Sequence, residues 1–197
     1  PSDPRNGILL CLNGTGILNS WLKHNVADID YPQMNELAMK APVGSDGLTI
    51  LPFGNGAERT LENRNLGASI ENLHFNIHKK EHFLRAAQEG IVFALNYGFE
   101  IMQQVGVKAN IIRAGHANMF LSPLFAEAFA CTTGATVELF DTDGSQGSAR
   151  GAGIGAGIYS SPAEAFTGLK PVKKIEPTEA LKQPYAEAYD SWKNIMD

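Results

Sequence analysis

The sequence predicts an α/β fold in which helices are layered on a sheet, and two observations predict it. From about Lys80 to Val105, the residues Phe83, Ala86, Ala87, Gly90, Ile91, Ala94, Leu95 and Ile101 recur at helical spacing, which marks a long helix with one buried face. After it, short apolar runs of strand length alternate with helix-length runs across short connections. That order belongs to an α/β layer, not to a sandwich or a bundle. The 197 residues are enough for one domain and few for two, so 1–197 is read as a single domain.

In chain order, the apolar run 8–12 within residues 7–12 suits a buried strand, and Asn13-Gly14-Thr15-Gly16 a turn. A helix is expected over 17–25, with Trp21 and Leu22 on its apolar side. A second helix over 31–40 ends before Ala41-Pro42, because proline disfavours a helical residue ahead of it. Residues 48–51 read as a strand and 52–56 as a turn or loop, on their Pro and Gly content. Beyond the long helix, residues 110–113 form a strand and 120–132 a helix closed by Gly134. A strand over 135–140 and a Gly/Ala-rich helix over 148–159 follow. The chain ends with a short helix from Pro162, an extended stretch over 170–177 and a final helix to Asp197. The tail 176–197 fits either a covering helix or a subunit contact in a homodimer.

Apolar residues make up 44% of the chain and charged residues 19%, the balance of a globular protein. A net charge of −5, with no basic cluster longer than a pair, argues against nucleic acid as a partner. No apolar run is long enough to cross a membrane. Cys11 and Cys131 both lie in apolar company and read as buried reduced thiols, which implies a cytoplasmic setting. The opening Pro1-Ser2-Asp3-Pro4, without an initiator Met, suggests a fragment of a longer sequence.

Three Gly-rich segments are candidate sites. Asn13–Gly16 lies between a strand and a helix, where unpaired N–H groups accept a phosphate or pack beside a nucleotide; the plainer reading is a tight turn. Ala114 and Gly115 leave room for a flat ring beside the backbone, with Asn118 able to hydrogen-bond it. Such a turn lies where open α/β sheets bind ligands, although Asn118 as a helix cap explains the spacing equally well. Gly151, Gly153, Gly155 and Gly157 suggest a dinucleotide fingerprint. That reading, an NAD-dependent oxidoreductase, requires residue 151 to open a helix directly after a strand. Close packing of helices is the simpler explanation.

Other patterns carry less. The segment 141–145 opens like a calcium loop, but its Gly falls at the fourth position and Ala152 occupies the twelfth. His74, His78 and His82 recur every four residues, and the first two are expected to precede the long helix and not to share a face with His82. No metal site is therefore expected. Asp141 and Asp143 read as helix caps or metal-facing carboxylates. Glu89, among apolar neighbours, calls for a partner or a function.

Four segments together resemble the FGGY family of carbohydrate kinases. Residues 14–23, Gly-Thr-Gly-Ile-Leu-Asn-Ser-Trp-Leu-Lys, resemble its Gly-rich segment. Residues 51–60, Leu-Pro-Phe-Gly-Asn-Gly-Ala-Glu-Arg-Thr, resemble its Leu-Pro-Tyr block. Residues 85–95 resemble its Arg-Ala-x-x-Glu-Gly helix, and 114–118 occupy its adenosine motif. The segments run in the family's order across about 8–160. Arg113 and Ala114 stand where that motif usually has further glycines, and Asn72 where the signature usually has Gly.

The resemblance implies a ribonuclease H-like lobe of the actin/hexokinase type, the incomplete carboxy-terminal part of a two-lobed enzyme. It implies ATP and Mg²⁺ as cofactors and transfer of a phosphoryl group to a ketopentose such as D-xylulose. Gly16, Ser20 and Asn19 would line one side of the nucleotide, and Ala114, Gly115 and Asn118 the adenine and ribose side. The catalytic Asp and the phosphate-gripping loops are expected upstream of Pro1, on an amino-terminal lobe that would be this chain's partner. Mg²⁺ would be held mainly there. A non-catalytic binding or regulatory module of the same fold is the alternative.

Overall fold

Helix α3 (Lys80–Gln104) is the axis on which the other elements are mounted. The computed structural model describes residues 7–196, so the Pro1–Pro4 opening and Asp197 lie outside the described residues. Ahead of α3 come α1 (Thr15–Leu22), α2 (Tyr31–Ala38) and the antiparallel pair β1 (Thr49–Phe53) and β2 (Gly67–Glu71), in register from Thr49↔Glu71 to Phe53↔Gly67. After it come β3 (Ile111–Gly115), α4 (Pro123–Thr133), β4 (Thr136–Phe140), α5 (Gly144–Gly155), α6 (Pro162–Ala165), β5 (Pro171–Ile175) and α7 (Glu179–Asn194). β3 and β4 are parallel and β5 joins β4 antiparallel, giving the order β3-β4-β5.

The main core joins Leu51 and Phe53 of β1, Ile91 and Phe93 of α3, Phe125 and Phe129 of α4, and Val137 and Leu139 of β4. Helix α7 closes it with Tyr185, Tyr189 and Trp192, so the tail is a covering helix on its own chain. Trp192 satisfies its indole by donating Nε1–H to the Ile50 carbonyl at 3.1 Å. A second cluster, with Leu22, Met34, Ala38 and Leu84, docks α1 and α2 onto α3. Glu89 has the partner its burial demands. Arg85, one turn earlier, donates Nε–H to it at 2.7 Å, then reaches the Ala41 carbonyl and the Tyr185 hydroxyl, each at 2.9 Å. The buried pair therefore ties α3 to α7 and to the loop before β1.

Several sequence expectations are corrected. Residues 7–12 form no strand. A strand needs a partner to complete its ladder, and none of the described strands lies beside this run. Leu10 packs against Gly98 and Leu12 touches the core, while Leu9 is 83% exposed. Pro52 and Phe53 belong to β1 and not to a turn. Proline fits there because, among the described residues, β1 pairs on one edge only, so the missing N–H costs no ladder bond. β2 had no strong signal, being short and mostly small or polar. Trp21 is half exposed although Leu22 beside it is buried, and Cys11 is exposed while Cys131 is buried.

Helix α5 starts four residues earlier than expected. Asp143 caps it, accepting the Gln146 N–H at 2.9 Å. Gly151 thus lies inside the helix, so the condition for a dinucleotide fingerprint fails. The expected packing of helix on helix does not account for these glycines either: a Cβ at Gly153 would meet the ring of Tyr159, in the bend after the same helix, and one at Gly151 or Gly155 would project into open space. Asn72 adopts φ +60°, a conformation Asn tolerates better than other side chains with a Cβ.

Candidate functional site at the start of α1 and the β3–α4 turn

Helix α1 begins at the Asn13-Gly14 turn without a side-chain cap of its own. The role falls to Glu58, 0% exposed. Its carboxylate accepts the Asn13 N–H at 2.9 and 3.0 Å and the Gly14 N–H at 3.1 Å. The turn was expected to offer free N–H groups to a phosphate, and here a buried carboxylate already uses two of them. Gly14 is held against β1 so closely that a Cβ there would overlap the Pro52 carbonyl oxygen. Gly16 differs: no atom lies within 4 Å of where its Cβ would be. The first glycine serves packing and the second leaves space.

The other wall is the turn after β3. His116 donates its N–H to the Phe140 carbonyl at 2.7 Å, which lays this turn against the end of β4. A Cβ at Gly115 would overlap the Thr142 carbonyl, so the close approach of the two turns requires glycine there. Asn118 has φ +52° and does not cap α4; Ser122 does, accepting the Phe125 N–H at 3.3 Å. The cap explanation of Asn118 is thereby removed, and its exposed side chain is left facing the space between the walls.

Two cavities meet at this point. One, of ≈ 580 Å³, is lined by Gly16 and Asn19 of α1, by Asn118 and Met119, and by the α2 face carrying Tyr31, Asn35 and Glu36. The other, of ≈ 300 Å³, is lined by Thr15, Ala114, Gly115, Asn118 and Asp143, among others. Asn118 and Met119 border both. Five of the six expected residues therefore converge: Gly16, Asn19 and Asn118 on one side, Ala114 and Gly115 with Asn118 on the other. Ser20 lines neither cavity, and its carbonyl lies 2.8 Å from His24 Nδ1.

The contribution of α2 was missed. Its signal was present in the spacing of Tyr31, Asn35 and Met39, one residue per helical turn, on a helix that follows α1 after a short connection. Among the described residues, the larger cavity carries one charged lining residue, the carboxylate Glu36, and no basic one. It suits a neutral or hydrogen-bonding ring system better than a phosphate chain.

Asp143, on the smaller cavity, is committed as a cap. The Ser145 hydroxyl at 2.6 Å and the Gln146 N–H hold its carboxyl below the usual range. The three histidines do come together, against expectation, with ring centroids 5.9 and 5.5 Å apart. The ring nitrogens of His78 and His82 are already used, His78 Nε2 lying 3.2 Å from the Asp46 carbonyl. His78 Nδ1 accepts the His74 N–H, His82 Nδ1 accepts the Lys79 N–H, and the His82 Nε2 faces the Asp46 carboxylate at 3.1 Å. No group of three or more His, Cys, Asp or Glu that could hold a metal ion was found among the described residues. No helix among them is long and apolar enough to cross a membrane.

No family model matches the chain. A xylulose kinase of Haemophilus influenzae is 30% identical over 193 residues, 93% of this chain and 38% of its own length. Among solved structures, the xylulose kinase of Lactobacillus acidophilus superposes with a TM-score of 0.78 at 22% identity, covering 93% of this chain and 38% of that one. A gluconate kinase of the same organism gives the same TM-score at 23% identity and the same coverage. The chain is homologous to the carboxy-terminal part of the FGGY sugar kinases. Its fold is that of a lobe in the actin/hexokinase-like architecture of those enzymes. It spans less than two fifths of the length of the relatives it matches.

Proposed function

We propose that this chain holds the adenosine end of ATP in a sugar kinase that phosphorylates a ketopentose, D-xylulose first among candidates. One observation carries the reading: Gly16 and Asn19, from the start of the chain, and Asn118, from the β3–α4 turn, wall the same ≈ 580 Å³ cavity. A volume of that order accommodates a nucleoside. Gly16 leaves room at the wall, Asn19, Asn35 and Asn118 supply donors and acceptors, and Tyr31 supplies an aromatic edge. The phosphate chain would leave the cavity past Thr15, because the Asn13 and Gly14 N–H groups are taken by Glu58. ATP and Mg²⁺ supply the phosphoryl group and its charge neutralisation. This chain's share is to bind and orient the base and ribose and, with an opposing lobe, to exclude water.

Neither carboxylate at the cavities suits a general base. Asp143 is a helix cap, and Glu36 lies at the nucleoside end. The base is assigned to the amino-terminal lobe that the relatives' greater length provides for, and that lobe is the proposed partner. The gluconate kinase likeness favours one alternative acceptor, a sugar acid, which would be distinguished on the same enzyme. The deciding experiment is ATP-dependent phosphorylation of D-xylulose and of D-gluconate by the protein with both lobes present, followed by coupled ADP release. Turnover above about 1 per second on D-xylulose supports the reading. The same rate on D-gluconate alone replaces the acceptor, and no turnover on either leaves a regulatory module of this fold as the better account.

A further inference from the structure

Glu58 has no place in the reading so far beyond holding a turn, yet its setting is unusual. A carboxylate removed from water is costly unless it is well bonded. Every partner described for it is a backbone N–H of the Asn13-Gly14 turn. The loop that carries it is locked to the same turn from both sides. Asn13 Nδ2–H donates to the Ala57 carbonyl at 2.9 Å, and Asn55 Nδ2–H donates to the Asn13 carbonyl at 3.1 Å. The Glu58 backbone is itself fixed, its N–H donating to the Arg64 carbonyl at 3.1 Å. The carboxylate thus lies at the positive end of α1, on a loop with little freedom to move.

Gly16 and Asn19 follow within the first turn and a half of that helix, so the position of the turn sets where they face the cavity. We infer that Glu58 is a positioning residue for the nucleotide cavity: it supplies the anion that the start of α1 demands, fixing Gly16 and Asn19 and keeping a phosphate from settling on the Gly14 N–H. The inference rests on the nucleoside reading of that cavity. Both carboxylate oxygens are needed, one bonding Asn13 alone and the other bonding Asn13 and Gly14. A Gln would turn an amide N–H₂ against a backbone N–H, and an Ala would leave a space of about the size of acetate.

The test measures ADP affinity and thermal midpoint for wild type, Glu58→Ala and Glu58→Gln, each with sodium acetate and with sodium chloride at equal ionic strength. ADP affinity is expected to fall roughly tenfold or more in both variants. In Glu58→Ala it recovers with acetate and not with chloride, while Glu58→Gln, with no space to fill, does not respond. Unchanged ADP affinity in a folded variant overturns the inference, and so does a loss that acetate fails to reverse in Glu58→Ala. If Glu58→Ala does not fold, unchanged affinity in Glu58→Gln still overturns it, and weakened affinity supports it. If wild type binds no ADP, the nucleoside reading fails. The anion role is then judged by the thermal midpoint of Glu58→Ala, which acetate must raise.

Discussion

Gly14 lies against Pro52 so tightly that a Cβ on the glycine would overlap the proline's carbonyl oxygen, whereas Gly16, two residues on, faces open space. The two glycines of one turn therefore have separable jobs. Gly14→Ala is expected to destabilise the fold by about 3 kcal/mol, through displacement of β1 or α1. Gly16→Ala is expected to leave stability unchanged or raise it by up to about 0.5 kcal/mol, since alanine is the better helix former. It should weaken ADP binding about tenfold, because its methyl group enters the cavity. Urea unfolding and calorimetric titration of both variants check this; the two variants behaving alike would contradict it.

The Arg85–Glu89 pair gives a prediction for stability and for its pH dependence. Burial pushes the Glu89 carboxyl above its ordinary 4.5, opposed by Arg85 and by the N–H of Gly44. Between 4.5 and the raised value the folded protein binds more protons than the unfolded chain. Glu89's contribution is therefore fully present below 4.5 and lost as pH rises through the folded value. Replacing Glu89 by Gln should flatten that part of the stability profile, measured as urea midpoints from pH 4 upward. Arg85→Leu, which strands a carboxylate that is 2% exposed, should cost about 3–5 kcal/mol at neutral pH.

The two cysteines should behave differently. Cys11 is exposed, while Cys131 is buried and its thiol is pushed up chiefly by that burial. A thiol reagent at pH 8 should modify Cys11 alone in the native protein and reach Cys131 only on unfolding. Rapid modification of both under native conditions would contradict the packing of α4 against the segment before α7.

How far the sequence foretold this molecule depended on whether a signal was local. Helix α3 was legible nearly to the residue, because the spacing from Phe83 to Ile101 is a property of the segment itself. The start of α5 was misplaced because Gly144, Ser145 and Gly147 look like a loop, and only the Asp143 cap turns them into a helix. Residues 7–12 read as a strand because the run is apolar, but apolarity does not supply a hydrogen-bonding partner. At the site, the glycines pointed to the right turns without showing which served packing. Gly115 proves to be required by Thr142, and Gly16 by no neighbour among the described residues. Glu58 enters the sequence reading only within the 51–60 segment. Its bonds to Asn13 and Gly14 span more than forty residues, beyond any spacing rule.

The most direct measurement is photoaffinity labelling with an azido-adenine analogue of ATP, followed by peptide mapping of the modified protein. The account predicts saturable labelling, displaced by unmodified ADP, confined to the cavity walls at 15–39, 91–95, 114–125 and 143–144. Labelling that ADP does not displace, or that maps to the face of α5 around Gly151, would contradict it.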